Sequence, residues 1–313
     1  MSVADPSEPV HPAPAEQTRA PAVETPLQAF ASAFFENTIA TVALVSLGLL
    51  FALALFAPWM VPQNPYDLAQ IDIMDSRLPP GTPSATGSYT HWLGTDGAGR
   101  DLLSAILYGL RISIFVGVAS GVIAMAIGSA IGLAATYAGG KIETLVMRIV
   151  DLQLSFPAIL VALMLIAVLG KGVDKIVIAL VMVQWAYYAR TVRGSALVEG
   201  RKEYVAAARC LGLSSARVVF RHILPNCLPP IIVVATVQTA HAIALEATLS
   251  FLGVGLPQTE PSLGVLISNG FEYMLSGKYW ISFFPGIALL LTIVSINLVG
   301  DHLRDVLNPR LSR

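Results

Sequence analysis

The sequence predicts an all-α, polytopic membrane protein with about six transmembrane helices. Hydrophobic residues make up 55% of the 313 residues and charged residues 12%, about half the charged share of a soluble globular domain. Six apolar runs are each long enough to cross a ~30 Å hydrocarbon core, which takes about 20 residues. Positive charge is segregated along the chain although the net charge is only −1.

The apolar runs are 38–60, 111–137, 146–169, 173–192, 226–252 and 281–301. Backbone groups in lipid must bond internally, so each run is read as a helix. The second contains Gly117-xxx-Gly121 and Gly128-xxx-Gly132. Such spacings let helices approach closely, and glycine is also simply common in membrane helices. Residues 1–36 are rich in Pro, Ala, Glu and Thr with few large apolar residues before Leu27, which predicts a disordered tail. They lack the basic start and short apolar stretch of a secretory signal. The chain therefore divides into a disordered tail at 1–36, a first transmembrane helix at 37–62, a loop region at 63–108 and a core membrane domain at 109–313.

Loop charges orient the bundle. The 193–225 loop carries Arg193, Arg201, Lys202, Arg209, Arg217 and Arg221, and the C-terminal tail carries Arg304, Arg310 and Arg313. The loop at 61–105 carries Asp67, Asp72, Asp75, Asp96 and Asp101 against Arg77 and Arg100. Positive charge stays inside, so both termini and 193–225 are expected in the cytoplasm, and the 63–108 region outside. The charge balance gives no footprint for nucleic acid. Cys210 and Cys227 form no CxxC, so neither a disulfide framework nor a metal site is expected.

The cytoplasmic stretch EYVAAARCLGLSSARVVFRHILPN runs from Glu203 to Asn226. Tyr204, Ala207, Ala208 and Leu211 recur at helical spacing and predict one small, mildly apolar face. Gly212 suits the left-handed position that ends a helix, and Ser214 can cap a second. Two short helices bent around Gly212 follow. Their periodicity fits a groove on a partner protein and equally an amphipathic helix on the membrane surface.

Within the spans, ionisable groups are costly and functional by default. The fifth span offers His241 and Glu246, with Gln238 one turn from His241. These are the candidates for a translocation pathway. For Glu246 the competing and favoured reading is a hydrogen bond to a neighbouring helix. For His241 cavity lining and interhelical bonding stand level. In the outer region, Gly94, Gly97 and Gly99 allow a tight turn and Asp101 can cap a helix starting at Leu102. The acidic spacing of a calcium loop is missing, as are a dinucleotide fingerprint and any GxxxxGK[ST] phosphate loop. No catalytic constellation is evident, so the chain is not expected to be an enzyme.

The loop from Glu203 resembles the Glu-Ala-Ala loop of binding-protein-dependent ABC importers. That pattern is Glu-Ala-Ala, three residues, Gly, then Ile-x-Leu-Pro, and Ala207, Ala208, Gly212, Leu224 and Pro225 match in register. Ala206 stands in place of the Glu and His222 in place of the Ile, so Glu203 is the nearest carboxylate. HWLGTDGAGRDLLSAILYGLRIS, RIVDLQLSFPAIL, ATLSFLGVGLP and INLVGDHLRDVLNP resemble stretches of the dipeptide/oligopeptide and nickel permease family, and their order is most similar to its C-type subunit. QTEPSLGVLISNG departs from the Pro-rich run and Trp-Gly pair common there.

The resemblance implies a type I ABC importer permease fold in the bacterial cytoplasmic (inner) membrane. It implies peptide cargo, with nickel, glutathione, opines or other small solutes as alternatives. Glu203, Tyr204, Ala207, Ala208, Leu211 and Gly212 would couple the chain to a separate ATPase, which alone holds ATP and Mg. The implied partners are a second homologous permease, one or two ATPase subunits, an external substrate-binding protein and membrane lipid, with no nucleic acid. An ATP-independent secondary transporter is the alternative in another class, and it needs coupling-ion carboxylates at midplane.

Overall fold

The computed structural model describes residues 25–260 and 262–307, and its first described element is a helix inside the segment whose composition predicts disorder. The Gln28 amide donates to Thr25 Oγ1 at 3.4 Å and the Thr25 amide to Gln28 Oε1 at 3.0 Å, a reciprocal cap. Pro26 suits the first turn, and α1 spans Pro26–Phe35. Its far end is anchored, since the Phe34 carbonyl lies 3.1 Å from His302 Nε2 and the two rings meet edge to face at 4.9 Å. Local capping and a tertiary anchor thus override composition over these residues. The rest of the predicted tail, residues 1–24, lies outside the described residues.

Asn37 caps the next helix through the amides of Ile39 and Ala40, and α2 covers Thr38–Met60. Its Ile39, Val42, Val45 and Leu49 are exposed, as a lipid-facing side requires, and its other side packs on later helices. A long irregular connection leads to α3, Leu102–Ala138. At 37 residues and ~1.5 Å per residue, α3 is about 55 Å long and outruns the hydrocarbon core. It takes over the last residues of the predicted 63–108 loop region.

Gly139 and Gly140, at φ 63° and 53°, turn the chain into α4, Gly140–Leu154. Then comes α5, Ala158–Leu169, bent 91° from α4. The apolar run expected to be one span at 146–169 is therefore broken at Pro157, which lacks an amide and pushes the preceding residue out of helix. α6 follows at Val173–Glu199, α7 at Glu203–Cys210 and α8 at Ser215–Val218. A π-helical turn at Val219–Ile223 joins α8 to α9, Leu224–Phe251. α10, Leu263–Phe271, and α11, Trp280–Val306, complete the order.

Among the described residues, four helices have the length and apolarity of spans: α2, α3, the continuous α8–α9 helix and α11. Counting the bent α4–α5 pair makes five, against the six expected. α6 stands outside this set, and the reason is burial. It packs against α3, α9, α5 and α4, with Ile176, Leu180, Tyr188, Ala189 and Val192 fully enclosed. Its packed side tolerates Gln184, which donates to the Gln238 carbonyl at 2.9 Å, while Ile178, Met182 and Val198 stay exposed on another side. Its contact with α3 uses two of the glycines whose spacing allows a close approach. A Cβ on Gly128 would lie 2.2 Å from the Trp185 carbonyl oxygen, and one on Gly132 2.4 Å from that of Ala189. Gly117 and Gly121 similarly face Ile243 and Thr239 of α9.

Candidate functional site

Three sites carry the chemistry expected from the sequence: an arm at one end of the bundle, a cavity beside it, and the packed connection at the other end.

The arm is α7. Gly212 takes φ 71°, and the amides of Gly212 and Leu213 bond back to Arg209 and Ala208, so the helix ends where a left-handed residue stops it. Ser214 occupies the start of α8 but makes no side-chain cap. The predicted face does not stay together. Val205 and Ala208, three residues apart, are buried among Val192, Ala196, Leu133 and Val218, whereas Ala206, Ala207, Cys210, Leu211 and Gly212 are exposed. Ala208 is thus a correction, since it holds the arm to its own bundle and offers no surface to a partner. Periodicity alone could not choose the face, because Val205 and Ala208 define an apolar stripe rotated from the one read off Tyr204 and Leu211.

Leu211 is 80% exposed, an isolated large apolar side chain at the tip. Glu203 is exposed at the N-terminal end. Tyr204 points back to the bundle, its hydroxyl donating to Glu199 Oε2 at 2.7 Å, and Lys202 Nζ sits 2.6 Å from Glu199 Oε1. Burial, then the Glu199 bond, push the Tyr204 phenol up to about 12. Arg193 Nε donates to Glu143 Oε1 at 2.6 Å and Arg190 pairs with Asp151. These pairs fasten α4 to α6 beside the arm.

The cavity, about 640 Å³, opens between α6, α9 and α11 at the α7 end. Tyr187 and Thr191 of α6 form one wall and Pro229, Pro230, Val233 and Val237 of α9 another. Gln238 and His241 line it, while Asp301 and Arg304 of α11 supply its charge. Glu246 lies elsewhere. It is fully buried, its Oε2 accepting from Ser113 Oγ at 2.9 Å and its Oε1 from Ser250 Oγ at 2.8 Å. These hydroxyls do for the carboxyl what water would do outside. The three residues proposed for a pathway are therefore divided: two face one space and the third joins α3 to α9. Asp301 and Arg304 were missed because Arg304 counts only as tail charge in the sequence. Their spacing of three on an apolar helix was the available signal.

At the opposite end, Asp101 caps α3 by accepting from the Ser104 amide at 2.8 Å and hydroxyl at 2.6 Å. Fully buried His91 lies between two carboxylates, with Nδ1 3.0 Å from Asp101 Oδ1 and Nε2 3.5 Å from Asp75 Oδ2. Arg100 Nε donates to Asp96 Oδ2 at 2.7 Å, and its Nη1 reaches the Gln258 carbonyl at 3.4 Å. Asp96 Oδ1 also takes the amides of Ala98 and Arg100. Gly94 and Gly99 have positive φ; a Cβ on either would strike the Leu78 or Asp72 carbonyl. Gly97 instead presses on the Tyr273 ring. The carboxylates here are occupied by donors of the chain itself, so the segment is a rigid packed cover.

Comparison with known proteins gives a consistent outcome. Residues 124–313 match the binding-protein-dependent transport system inner membrane component family. Residues 25–80 match the N-terminal TM domain of oligopeptide transport permease C. The chain is 40% identical over 294 residues to the dipeptide transport system permease protein DppC of Escherichia coli (strain K12), covering 94% of this chain and 96% of that one. It is 41% identical over 270 residues to a putative peptide transport system permease protein of Brucella suis biovar 1 (strain 1330), covering 86% and 87%. Among solved structures it is similar to a chain of the MetNI methionine ABC transporter in inward-facing conformations. The TM-score is 0.54 at 20% identity, over 65% of this chain and 96% of that one, a likeness of fold.

Proposed function

This chain belongs to the binding-protein-dependent transport system inner membrane component family, and on that premise we propose that its cargo is di- or oligopeptide taken up across the bacterial inner membrane. It is a permease subunit of an ABC importer. The reading assigns ATP hydrolysis to separate ATPase subunits and the other half of the pathway to a second permease of similar fold. An external binding protein delivers the cargo.

The observation that supports the reading most is the exposed tip of α7 beside the α6–α9–α11 cavity. Val205 and Ala208 of α7 belong to one buried cluster with residues of α3, α6, α8 and α9, and α8 runs through a π-turn into α9, which forms a wall of the cavity. A push on the arm therefore reaches the Pro229–His241 wall through continuous helix and close packing. ATP can shift the permease between states only as far as the ATPase docks differently in each, and this linkage is the path for that difference. The α7 end is then cytoplasmic, because Arg201, Lys202, Arg209, Arg217 and Arg221 gather there. The cover holding His91 and Asp101 faces outward.

Two measurements test this. Proteoliposomes holding the full complex should accumulate peptide only with binding protein outside and ATP inside; uptake without ATP would sink the importer reading. For orientation, exposed Cys210 is first changed to Ser. Cysteines at exposed Ser88 and Ser214 should then react with an impermeant thiol reagent from opposite sides of the membrane, Ser88→Cys from outside. Labelling from one side overturns the topology.

A further inference from the structure

We propose that Asp301 and Arg304 form a two-ended clamp that holds a short peptide by its ammonium and its carboxylate at the inner mouth of the cavity. The inference rests on the peptide-importer reading and adds a recognition chemistry to it.

The cavity of about 640 Å³ lies in the size range of small-ligand sites, which are mostly apolar with a few convergent polar groups. Its two charged residues both come from the last turns of α11, one of each sign. Neither is engaged, since no ion pair among the described residues includes Asp301 or Arg304. Both are exposed to the space they line. Of the acids near this end, Glu143 pairs with Arg193, Asp151 with Arg190 and Glu199 with Lys202, while Glu203 and Asp305 are exposed but do not line the cavity. Asp301 and Arg304 are the acid and the base in the lining of this cavity.

Spacing favours a zwitterion. Residues three apart on a helix have Cβ atoms about 5–6 Å apart, and their longer side chains splay further. An extended dipeptide spans at most about 7 Å. One peptide thus brings its ammonium to Asp301 and its carboxylate to Arg304, which presents a fork suited to carboxylates. Gln238 and His241 stand deeper on α9 and leave the apolar wall of Val233 and Val237 for the side chains.

The test uses the complete permease–ATPase complex in nanodiscs, without nucleotide or binding protein, titrated with Ala-Ala, N-acetyl-Ala-Ala and Ala-Ala-amide. Wild type should bind Ala-Ala about tenfold more tightly than either blocked form, as expected for losing one charge-assisted contact. Asp301→Asn should abolish discrimination against the acetylated peptide alone, and Arg304→Gln against the amide alone. Equal wild-type affinity for all three, no wild-type binding, or variants that keep both preferences overturn the clamp. The wild-type comparison decides the matter even where a variant fails to assemble. ATP-driven uptake in proteoliposomes is measured in parallel: intact uptake without end discrimination removes only the clamp, whereas absent uptake removes the importer reading with it.

Discussion

Replacing Leu211 with Ala should weaken ATPase association while leaving the permease folded. Leu211 is 80% exposed in the isolated chain, so it contributes almost nothing to the fold and has most of its surface to bury on docking. Full burial of a leucine is worth ~1.5–3 kcal/mol. Four-fifths of that, less about 0.8 kcal/mol for the methyl that alanine retains, leaves about 0.4–1.6 kcal/mol, or roughly a two- to fifteenfold loss in association. Ala207→Trp should act in the same direction by overfilling the contact, at about 1–3 kcal/mol. Ala208→Trp is different in kind. At 5% exposure beside Val205 and Val218, it forces the arm off its own bundle.

The assay is co-purification of ATPase with tagged permease, with size-exclusion profiles of the permease alone. Leu211→Ala and Ala207→Trp should give normal permease profiles and depleted ATPase. Ala208→Trp should disturb the permease before any ATPase is added. Full ATPase recovery and full transport in both exposed-face variants would show that α7 is not the dock. An Ala208→Trp permease that is stable alone yet loses ATPase would refute the division of the helix into an inward and an outward face.

Gly132→Val should lower thermal stability in detergent by about 1–3 kcal/mol, because its side chain meets the Ala189 backbone; a normal melting profile would mean α3 and α6 do not pack so closely. Glu246→Leu leaves the Ser113 and Ser250 hydroxyls without their acceptor, at about 1–3 kcal/mol each. Glu246→Gln keeps an acceptor and should retain more stability and transport, and equal loss in both would point to a charge-dependent role instead. Asp101→Ala removes the α3 cap and the His91 contact and should cost about 1–2 kcal/mol on the cap alone, with Asp101→Asn milder in the same thermal measurement. Burial first, and the Glu199 bond second, push the Tyr204 phenol from its ordinary value near 10 up to about 12. The stabilisation from its Glu199 bond is therefore complete below about pH 10 and lost as pH rises through about 12. The ultraviolet phenolate step missing from Tyr204→Phe should lie near 12, and a missing step near 10 would deny the upward shift.

Much of this architecture was legible because its causes are local. Asp101 and Gly212 stand where chain geometry needs a cap or a positive φ, and α3 begins and α7 ends beside them. The Gly128–Gly132 spacing allowed a close helix contact without naming the partner, which is α6, where a Cβ would come within 2.2–2.4 Å of its backbone. Legibility ended where tertiary context decides. Apolarity marked a span at 146–169, but Pro157 and a 91° bend divide it. Proline weakens a helix from sequence alone, whereas the direction of the bend is set by what α4 leans on, here Arg190 and Arg193 of α6. Composition marked residues 26–35 as unstructured, and only the distant His302 shows why Phe34 stays in place.

The site residues divide along the same physical line. A charge on a membrane helix announces from sequence that it needs a partner, but not which partner. Glu246 found Ser113, 133 positions away, and ceased to be a free group. Asp301 and Arg304 look in sequence like tail charges that merely orient the chain, and the fold leaves them unpaired on the wall of a cavity. Counting positive residues discards the rotational phase that puts a side chain on the lumenal or the lipid side of α11. That phase is fixed by contacts with α9, α10 and α2, none of which the local pattern contains. The residues that recognise cargo are therefore harder to read than those that build the bundle: their partner is a molecule outside the chain, so nothing within it reports their pairing.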